Sequence, residues 1–342
     1  MSPADVVVVI LWIGLTLYAV LGGADFGAGF WDLLAGGTER GRPARALIDD
    51  AIGPVWETNH TWLIFDLVIL WTAFPVAFAS VMSSLYVPLI GAAFGIVLRG
   101  SGFAFRRALA FHAGERLFGS IFALASIITP FFLGAALGAI ASGRVPIGNA
   151  AGDPLASWLT PTSVAIGALA AAGGAYLAGV YLVADARRQG DATLEGYFRR
   201  RALASGMVTG GLAITGIFVL QADAPYLFNG LITRGLPLVV LSVLCGSATL
   251  LLLLRGSVYR ARVLAAGAVA SIVVGWGIAQ YPYLLPTSLT VAAGAAPAGT
   301  LDAIVVIAGV ALLLIAPSLA FLLFLAQRNR LSSAVSDQEA PA

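Results

Sequence analysis

Residues 235–254 read GLPLVVLSVLCGSATLLLLL, a stretch without a single charge that is followed at once by Arg255. A helix of this length covers about 30 Å, which is the hydrocarbon thickness of a bilayer. The whole chain shares this character, because 59% of its 342 residues are hydrophobic, only 11% are charged, and the mean hydropathy is +0.93. In a soluble domain, roughly a quarter of the residues are charged. The sequence therefore predicts an all-α integral membrane protein.

Apolar runs long enough to cross the bilayer occur about nine times along the chain. The predicted spans are residues 6–35, 54–78, 83–99, 117–141, 162–184, 202–221, 235–254, 261–279 and 302–326. We expect residues 1–330 to form one polytopic membrane domain. Residues 331–342 are polar and are expected to form a cytoplasmic tail.

The positive charges test this count, because all 19 cationic residues are arginines. They fall in alternate loops, after the first, third, fifth, seventh and ninth predicted spans; only Arg144 and Arg234 lie in the other loops. The positive-inside rule then predicts an outside N-terminus and a cytoplasmic C-terminus. Because the net charge is only +2 and no basic stripe exists, we do not expect nucleic-acid binding.

Several site classes find no support in the sequence. The single cysteine, Cys245, cannot form an intrachain disulfide or hold an iron–sulfur cluster. No nucleotide-binding glycine motif follows a strand, and the 40 glycines are expected to pack helices. Of the two histidines, His112 falls in a loop, so bis-histidine haem ligation is not expected. We expect no metal, catalytic or cofactor-binding residue in this chain.

Acidic residues inside predicted spans are functional candidates, because charges in a bilayer are costly. Asp25 lies in the cytoplasmic half of the first span, and Glu57 enters the second span at about the same depth. Two acids on neighbouring helices predict an inward-facing pocket that takes protons from the cytoplasm. Asp66 lies deeper and faces away from Glu57, and it is the weaker candidate. The alternative is that each acid is neutralised by an arginine and only holds the helices together.

Polar and aromatic neighbours surround these acids in the second span, which opens with PVWETNHTWL over residues 54–63. Helical spacing brings Trp56, Asn59 and His60 within reach of one face, where we expect them to order the pocket. Two further segments stand out. Residues 99–107 begin with Arg99 at the cytoplasmic end of the third span, and residues 276–286 surround Gln280 at the outer end of the eighth. Alone, they are typical of headgroup anchors and interfacial aromatics.

Together these segments resemble subunit II of cytochrome bd-type quinol oxidases, including the cyanide-insensitive branch. The motifs that carry the resemblance follow in the family's order: GADFGAG at 23–29; Pro54, Trp56, Glu57, Asn59, Trp62 and Leu63; Phe74-Pro75; Tyr86 and Pro88; residues 99–106; and Trp276, Gln280 and Pro282. One departure is Glu57, which stands where many relatives have aspartate and extends the carboxylate by one methylene.

The resemblance implies two four-helix bundles, at about 6–141 and 162–279, plus a peripheral helix at 302–326. It implies a heterodimer in the bacterial inner membrane, in which subunit I holds haems b and d, or b only, and reduces oxygen with quinol. The present chain would bind no haem. It would deliver protons through Asp25 and Glu57, with Trp62, Arg99 and Gln280 as further pocket or interface residues. The resemblance also allows a structural quinone and small single-helix accessory subunits.

Two other functions remain open from the residues. A polytopic secondary transporter acting alone would use broken helices and a central cavity, with Asp66 near the midplane. A haem-binding cytochrome would need a second axial ligand for His60, and the expected depths of the methionines do not supply one.

Overall fold

The computed structural model describes residues 2–53, 56–108 and 112–327. Within these ranges, some side chains are not described: those of Thr38, Trp56, Glu57, residues 106–108 and 112–116, and residues 316, 319, 322, 323 and 325–327.

The described chain is almost entirely helical, as the sequence predicts. The helices are α1 (Pro3–Leu17), a π-helical turn (Tyr18–Gly22), α2 (Gly23–Leu33), α3 (Thr38–Ile52), α4 (Trp56–Ala73), α5 (Pro75–Ser84), α6 (Tyr86–Ala108), α7 (His112–Ala141), α8 (Pro161–Arg188), α9 (Ala192–Asp223), α10 (Pro225–Thr233), α11 (Leu236–Leu254), α12 (Val258–Gln280), α13 (Val291–Gly294) and α14 (Ala298–Gln327). Strands β1 (Tyr283–Leu285) and β2 (Leu289–Thr290) pair in antiparallel fashion.

Eight helical stretches in the described residues are long and apolar enough to cross a membrane. A ninth crossing results if the bent pair Thr58–Ala73 and Pro75–Ser84 counts as one span. Each of the nine predicted spans coincides with one of these stretches or with the bent pair. The multi-pass helical architecture is therefore confirmed. The grouping into two four-helix bundles and the orientation of the termini stay predictions.

The second predicted span, 54–78, is wrong in one respect, because it does not run straight through Phe74. The chain turns by 119° there, and α5 starts a new direction at Pro75. A residue that precedes proline is pushed out of the α region, and Phe74 has φ −136° and ψ 62°. Ala224, before Pro225, has nearly the same angles, φ −136° and ψ 60°.

The two breaks give the chain a repeated pattern that no sequence motif reveals. In each case a long helix ends before a proline, a short helix follows, and only one or two residues separate the short helix from the next long one. The first instance is α4, α5 and α6, and the second is α9, α10 and α11. The structure therefore carries a local structural repeat.

Helix α8 lies at the centre of the molecule and contacts α2, α7, α9 and α12. The closest approach joins Gly27 on α2 to Gly174 on α8, where a Cβ atom on Gly27 would overlap the Gly174 carbonyl. Trp31, one turn further along α2, donates a hydrogen bond of 2.8 Å to the Ala175 carbonyl oxygen. Small residues allow the two backbones to meet, as expected for membrane helices.

Helix α3 lies in the loop after the first span, for which the sequence analysis predicts no helix. Its apolar residues Ala44, Leu47, Ile48 and Ile52 recur at helical spacing and are buried in the same core as α2 and α8. Arg45 on the polar face bonds the buried Asp32 carboxylate at 2.9 Å. An amphipathic helix therefore closes this end of the molecule.

Candidate functional site

The centre of the candidate site is an ion pair between Asp25 on α2 and Arg99 on α6. Nη2 of Arg99 lies 2.7 Å from Oδ1 of Asp25, and the two side chains are only 1% and 2% exposed. The same nitrogen donates to the Asp25 carbonyl oxygen at 3.3 Å, and Nε donates to Ser126 Oγ on α7 at 3.0 Å. The pair therefore ties α2, α6 and α7 together inside the helix bundle.

Aromatic rings enclose the guanidinium group. The rings of Phe26 on α2 and Phe122 on α7 each have their centroid 5.0 Å from the Arg99 Cζ atom. The negative faces of such rings attract a desolvated cation. Among the described side chains, the acid that pairs with the Arg99 charge is Asp25.

Only one of the two Asp25 carboxylate oxygens has a hydrogen-bond partner within the described residues. Its Oδ1 atom bonds Arg99, whereas the buried Oδ2 atom has no hydrogen-bond partner there. Each hydrogen bond that a buried carboxylate accepts stabilises it. The geometry therefore leaves one oxygen of Asp25 able to accept a further hydrogen bond.

A second polar contact lies beside the ion pair, at the π-helical turn of the first span. Tyr18 Oη lies 3.4 Å from Nδ1 of His60 on α4, and the His60 ring meets Phe26 edge to face at a centroid distance of 5.6 Å. Asn59 is buried and donates to the Leu21 carbonyl oxygen at 3.4 Å. The wider turn of a π-helix disturbs the regular backbone bonding and is frequent at functional sites.

The structure thus brings together four of the predicted site residues: Asp25, Arg99, Asn59 and His60. Trp62 lies one turn after Asn59 on α4 and is buried in an apolar cluster with Tyr18 and Phe26. It makes no polar contact with the described residues. The side chains of Trp56 and Glu57 lie outside the described residues, so their predicted positions in the pocket stay predictions.

Two predicted residues lie elsewhere. Asp66 is two turns from Asn59 along α4 and lies against Gly14 of α1. Gln280, at the end of α12, accepts a hydrogen bond of 2.7 Å from Trp276 and donates one of 3.0 Å to the Leu284 carbonyl oxygen. Gln280 therefore fixes the strand pair after α12, and it takes no part in the Asp25 pocket.

The sequence analysis missed three members of the site: Tyr18, Phe122 and Ser126. Ser126 is a polar residue in an otherwise apolar span, and that signal could have indicated a partner for a buried arginine. Tyr18 lies seven residues before Asp25, which places both on one helical face. Phe122 carries no signal, because a phenylalanine in a membrane helix is expected almost anywhere.

Metal and haem binding can be judged from the donor atoms. Among the described residues, no group of three or more histidine, cysteine or acidic residues could hold a metal ion. The His60 ring is enclosed by Tyr18 and Phe26, and its Nδ1 atom faces the tyrosine hydroxyl. The described contacts of His60 are therefore with Tyr18 and Phe26, and the absence of haem from this chain stays a prediction.

Fold and site define a polytopic helical membrane protein with a charge pair buried in its first helices. A family model described as cytochrome bd terminal oxidase subunit II matches residues 3–326. The chain belongs to this family.

Individual relatives agree with this assignment. The chain is 31% identical over 129 residues to cytochrome bd ubiquinol oxidase subunit 2 of Bacillus subtilis (strain 168), covering 38% of this chain and 36% of the relative. It is 27% identical over 135 residues to cytochrome bd-I ubiquinol oxidase subunit 2 of Escherichia coli (strain K12), covering 39% and 35%. These alignments span about a third of each relative's length.

The fold extends the similarity to the whole chain. A chain from the structure of bd oxidase from Geobacillus thermodenitrificans superposes with a TM-score of 0.77 at 26% sequence identity, covering 95% of this chain and 98% of that one. The similarity confirms the resemblance that the sequence motifs indicate, and it does not favour the secondary transporter.

Proposed function

We propose that this chain is the haem-free subunit of a bd-type terminal quinol:oxygen oxidoreductase in a bacterial inner membrane. It supports a haem-bearing subunit I and helps to deliver cytoplasmic protons for the reduction of oxygen to water. Haems b and d, or b only, belong to the partner, as do the quinol site and the oxygen site. This chain binds the partner and the surrounding lipid. A structural quinone and single-helix accessory subunits are compatible with this role.

One observation carries the proton role: the buried Asp25 carboxylate, with one oxygen paired to Arg99 and the other without a described partner. Oxygen reduction consumes protons, and taking them from the cytoplasm contributes to the membrane potential. A carboxylate in the cytoplasmic half of a span is placed to take part in such a path. Glu57, in the first turn of α4, is the second acid proposed for this path.

The haem-free role is supported by the histidines. The chain has only two, and His60 is packed against Tyr18 and Phe26. His112 lies in α7 with a side chain outside the described residues. This chain's own residues therefore hold and order a proton site and leave the redox chemistry to the partner.

The arginine pattern supports the orientation with the N-terminus outside and the C-terminus in the cytoplasm. The two arginines that break the pattern are both engaged by the protein. Arg144 pairs with Asp223, and Arg234 donates to the Ala279 carbonyl oxygen at 2.8 Å. Their charges serve local contacts, so they do not weigh against the orientation.

The function is tested by purifying the chain with and without its co-expressed neighbouring subunits. Reduced-minus-oxidised spectra and quinol-driven oxygen consumption are recorded for both preparations. We expect haem bands and oxygen consumption only in the co-purified complex. A chain that carries its own haem bands, or that forms no stable complex, would contradict the proposal.

A further inference from the structure

A line of polar contacts follows the seam between the first span and α4. Three separate contacts follow one another along the first span: Asp25 bonds Arg99, the Leu21 carbonyl oxygen accepts from Asn59, and Tyr18 contacts His60. One turn beyond Tyr18, the side chain facing α1 is Asp66, which lies against Gly14. Asn59 and Asp66 are seven residues apart on α4 and therefore share one helical face.

Asp66 occupies a space that the missing side chain of Gly14 creates. A Cβ atom on Gly14 would overlap the Asp66 carboxyl group. Gly14 lies eleven residues after Pro3 in a helical stretch that ends at Leu33, which places it about 17 Å along a path of about 46 Å. The carboxyl group is therefore in the apolar interior of the membrane.

No described residue neutralises this carboxyl group. Its Oδ1 atom is buried without a hydrogen-bond partner, and Asp66 is absent from the described ion pairs. The titratable groups facing the seam are Tyr18 on the first span and His60 on α4. From α14, apolar Leu312 and Ile315 pack against the same region. Arg99 is taken by Asp25, about three turns away along the first span.

An ionised carboxylate without a partner is very costly in such surroundings, whereas a neutral carboxylic acid is tolerated. We propose that Asp66 is a proton-binding site in the membrane interior and the inner end of the polar line that starts at Asp25. On binding, the carboxylate takes up one proton and becomes a neutral acid; on release, it returns to the carboxylate, and no other bond changes. Its place in proton delivery rests on the function proposed above, whereas proton binding itself does not.

Infrared difference spectroscopy on the assembled complex tests proton binding directly. We expect the carbonyl-stretch band of a buried protonated carboxylic acid, shifted in D2O and lost in Asp66→Asn. The matched control is Asp153→Asn, an exposed loop acid that accepts hydrogen bonds from the Leu155 and Ala156 amides and should leave the band unchanged. A band that survives in Asp66→Asn would overturn the proposal.

A second variant tests whether Asp66 is paired with a cation that the described contacts do not include. Asp66→Leu should assemble with its partner as well as the unmodified chain does, because a neutral acid without a partner can be replaced by an apolar group. Failure to assemble, together with rescue by Asp66→Glu, would show that an ionised Asp66 is paired, and that result would overturn the proposal.

Oxygen-coupled proton uptake in vesicles tests the role in delivery. We expect Asp66→Asn to slow uptake by about 10- to 100-fold, at or below the contribution usual for a positioned proton-transfer group. Full uptake in Asp66→Asn combined with slow uptake in Glu57→Gln would remove Asp66 from the path and leave the proposed function intact. The opposite pair of results would keep Asp66 and contradict the proposed entry at Glu57.

Discussion

At the residue scale, Arg99 is the most deeply buried charged residue that the structure describes. Its side chain is 1% exposed, and its charge is met by Asp25, by Ser126 and by two aromatic rings. A buried ion pair adds little net stability compared with apolar residues, but removing one partner leaves an uncompensated charge. Neither Asp25 nor Arg99 can therefore be removed alone without leaving a buried, unpaired charge.

Arg99→Gln should lower the free energy of unfolding by about 3–5 kcal/mol, because Asp25 would stay buried without its cation. The control is Arg42→Gln, whose pair with Glu39 has side chains 73% and 82% exposed and should contribute almost nothing. Denaturant unfolding of the purified complex measures both. Equal stability of the two variants would contradict the buried pair.

At the element scale, the contact of α2 with α8 depends on the absence of side chains. The Gly27 and Gly174 backbones touch, whereas a Cβ atom on the neighbouring Gly173 would meet nothing within 4 Å. The sequence analysis assigns both Gly27 and Gly173 to helix packing, and only the former is confirmed.

Gly27→Val should therefore prevent close packing of α2 on α8 and cost about 1–3 kcal/mol or more. Gly173→Val places the same side chain one helical position from Gly174 and should be tolerated. The yield of detergent-stable complex distinguishes the two variants. A Gly173→Val chain that fails as severely as Gly27→Val would show that helix propensity, and not the backbone contact, is decisive.

Also at this scale, the sequence predicts the spans well and their interruptions poorly. Apolar runs and arginine-bearing loops reveal where helices cross, because lipid imposes both patterns. The sharp bend at Phe74 depends on one residue before a proline inside an unbroken apolar run, and hydropathy cannot register it. The site is partly predictable for a similar reason: Asp25 and His60 are conspicuous in an apolar stretch, whereas their contacts with Arg99 and Tyr18 bring together distant parts of the chain.

At the scale of the whole molecule, most arginines lie in the loops at one end of the helices, which is the predicted cytoplasmic end. Several arginines of the predicted cytoplasmic side pair with nearby acids, as Arg187 and Arg199 do with Glu195 and Arg262 does with Asp185. These arginines lie near the helix ends, where arginine side chains are expected to contact the lipid headgroups. The predicted orientation rests on where these arginines lie.

The orientation can be measured with single cysteines in a Cys245→Ser background. We expect a membrane-impermeant thiol reagent to label Asp153→Cys in intact spheroplasts, because the loop before α8 is predicted to lie outside. Arg42→Cys on α3 should be labelled only after the membrane is opened. Labelling in the reverse order would contradict the positive-inside assignment and, with it, a cytoplasmic proton entry at Asp25.

The most direct test of proton delivery is oxygen-coupled proton uptake by the assembled oxidase in vesicles, comparing Glu57→Gln and the double variant Asp25→Leu/Arg99→Met with the unmodified complex. The double variant removes both charges, so it avoids an unpaired buried ion. We predict intact haem spectra in both, with oxygen consumption and proton uptake slowed together by about tenfold or more. Full uptake and full oxygen consumption in both variants would contradict the account and reduce the acids to a structural role.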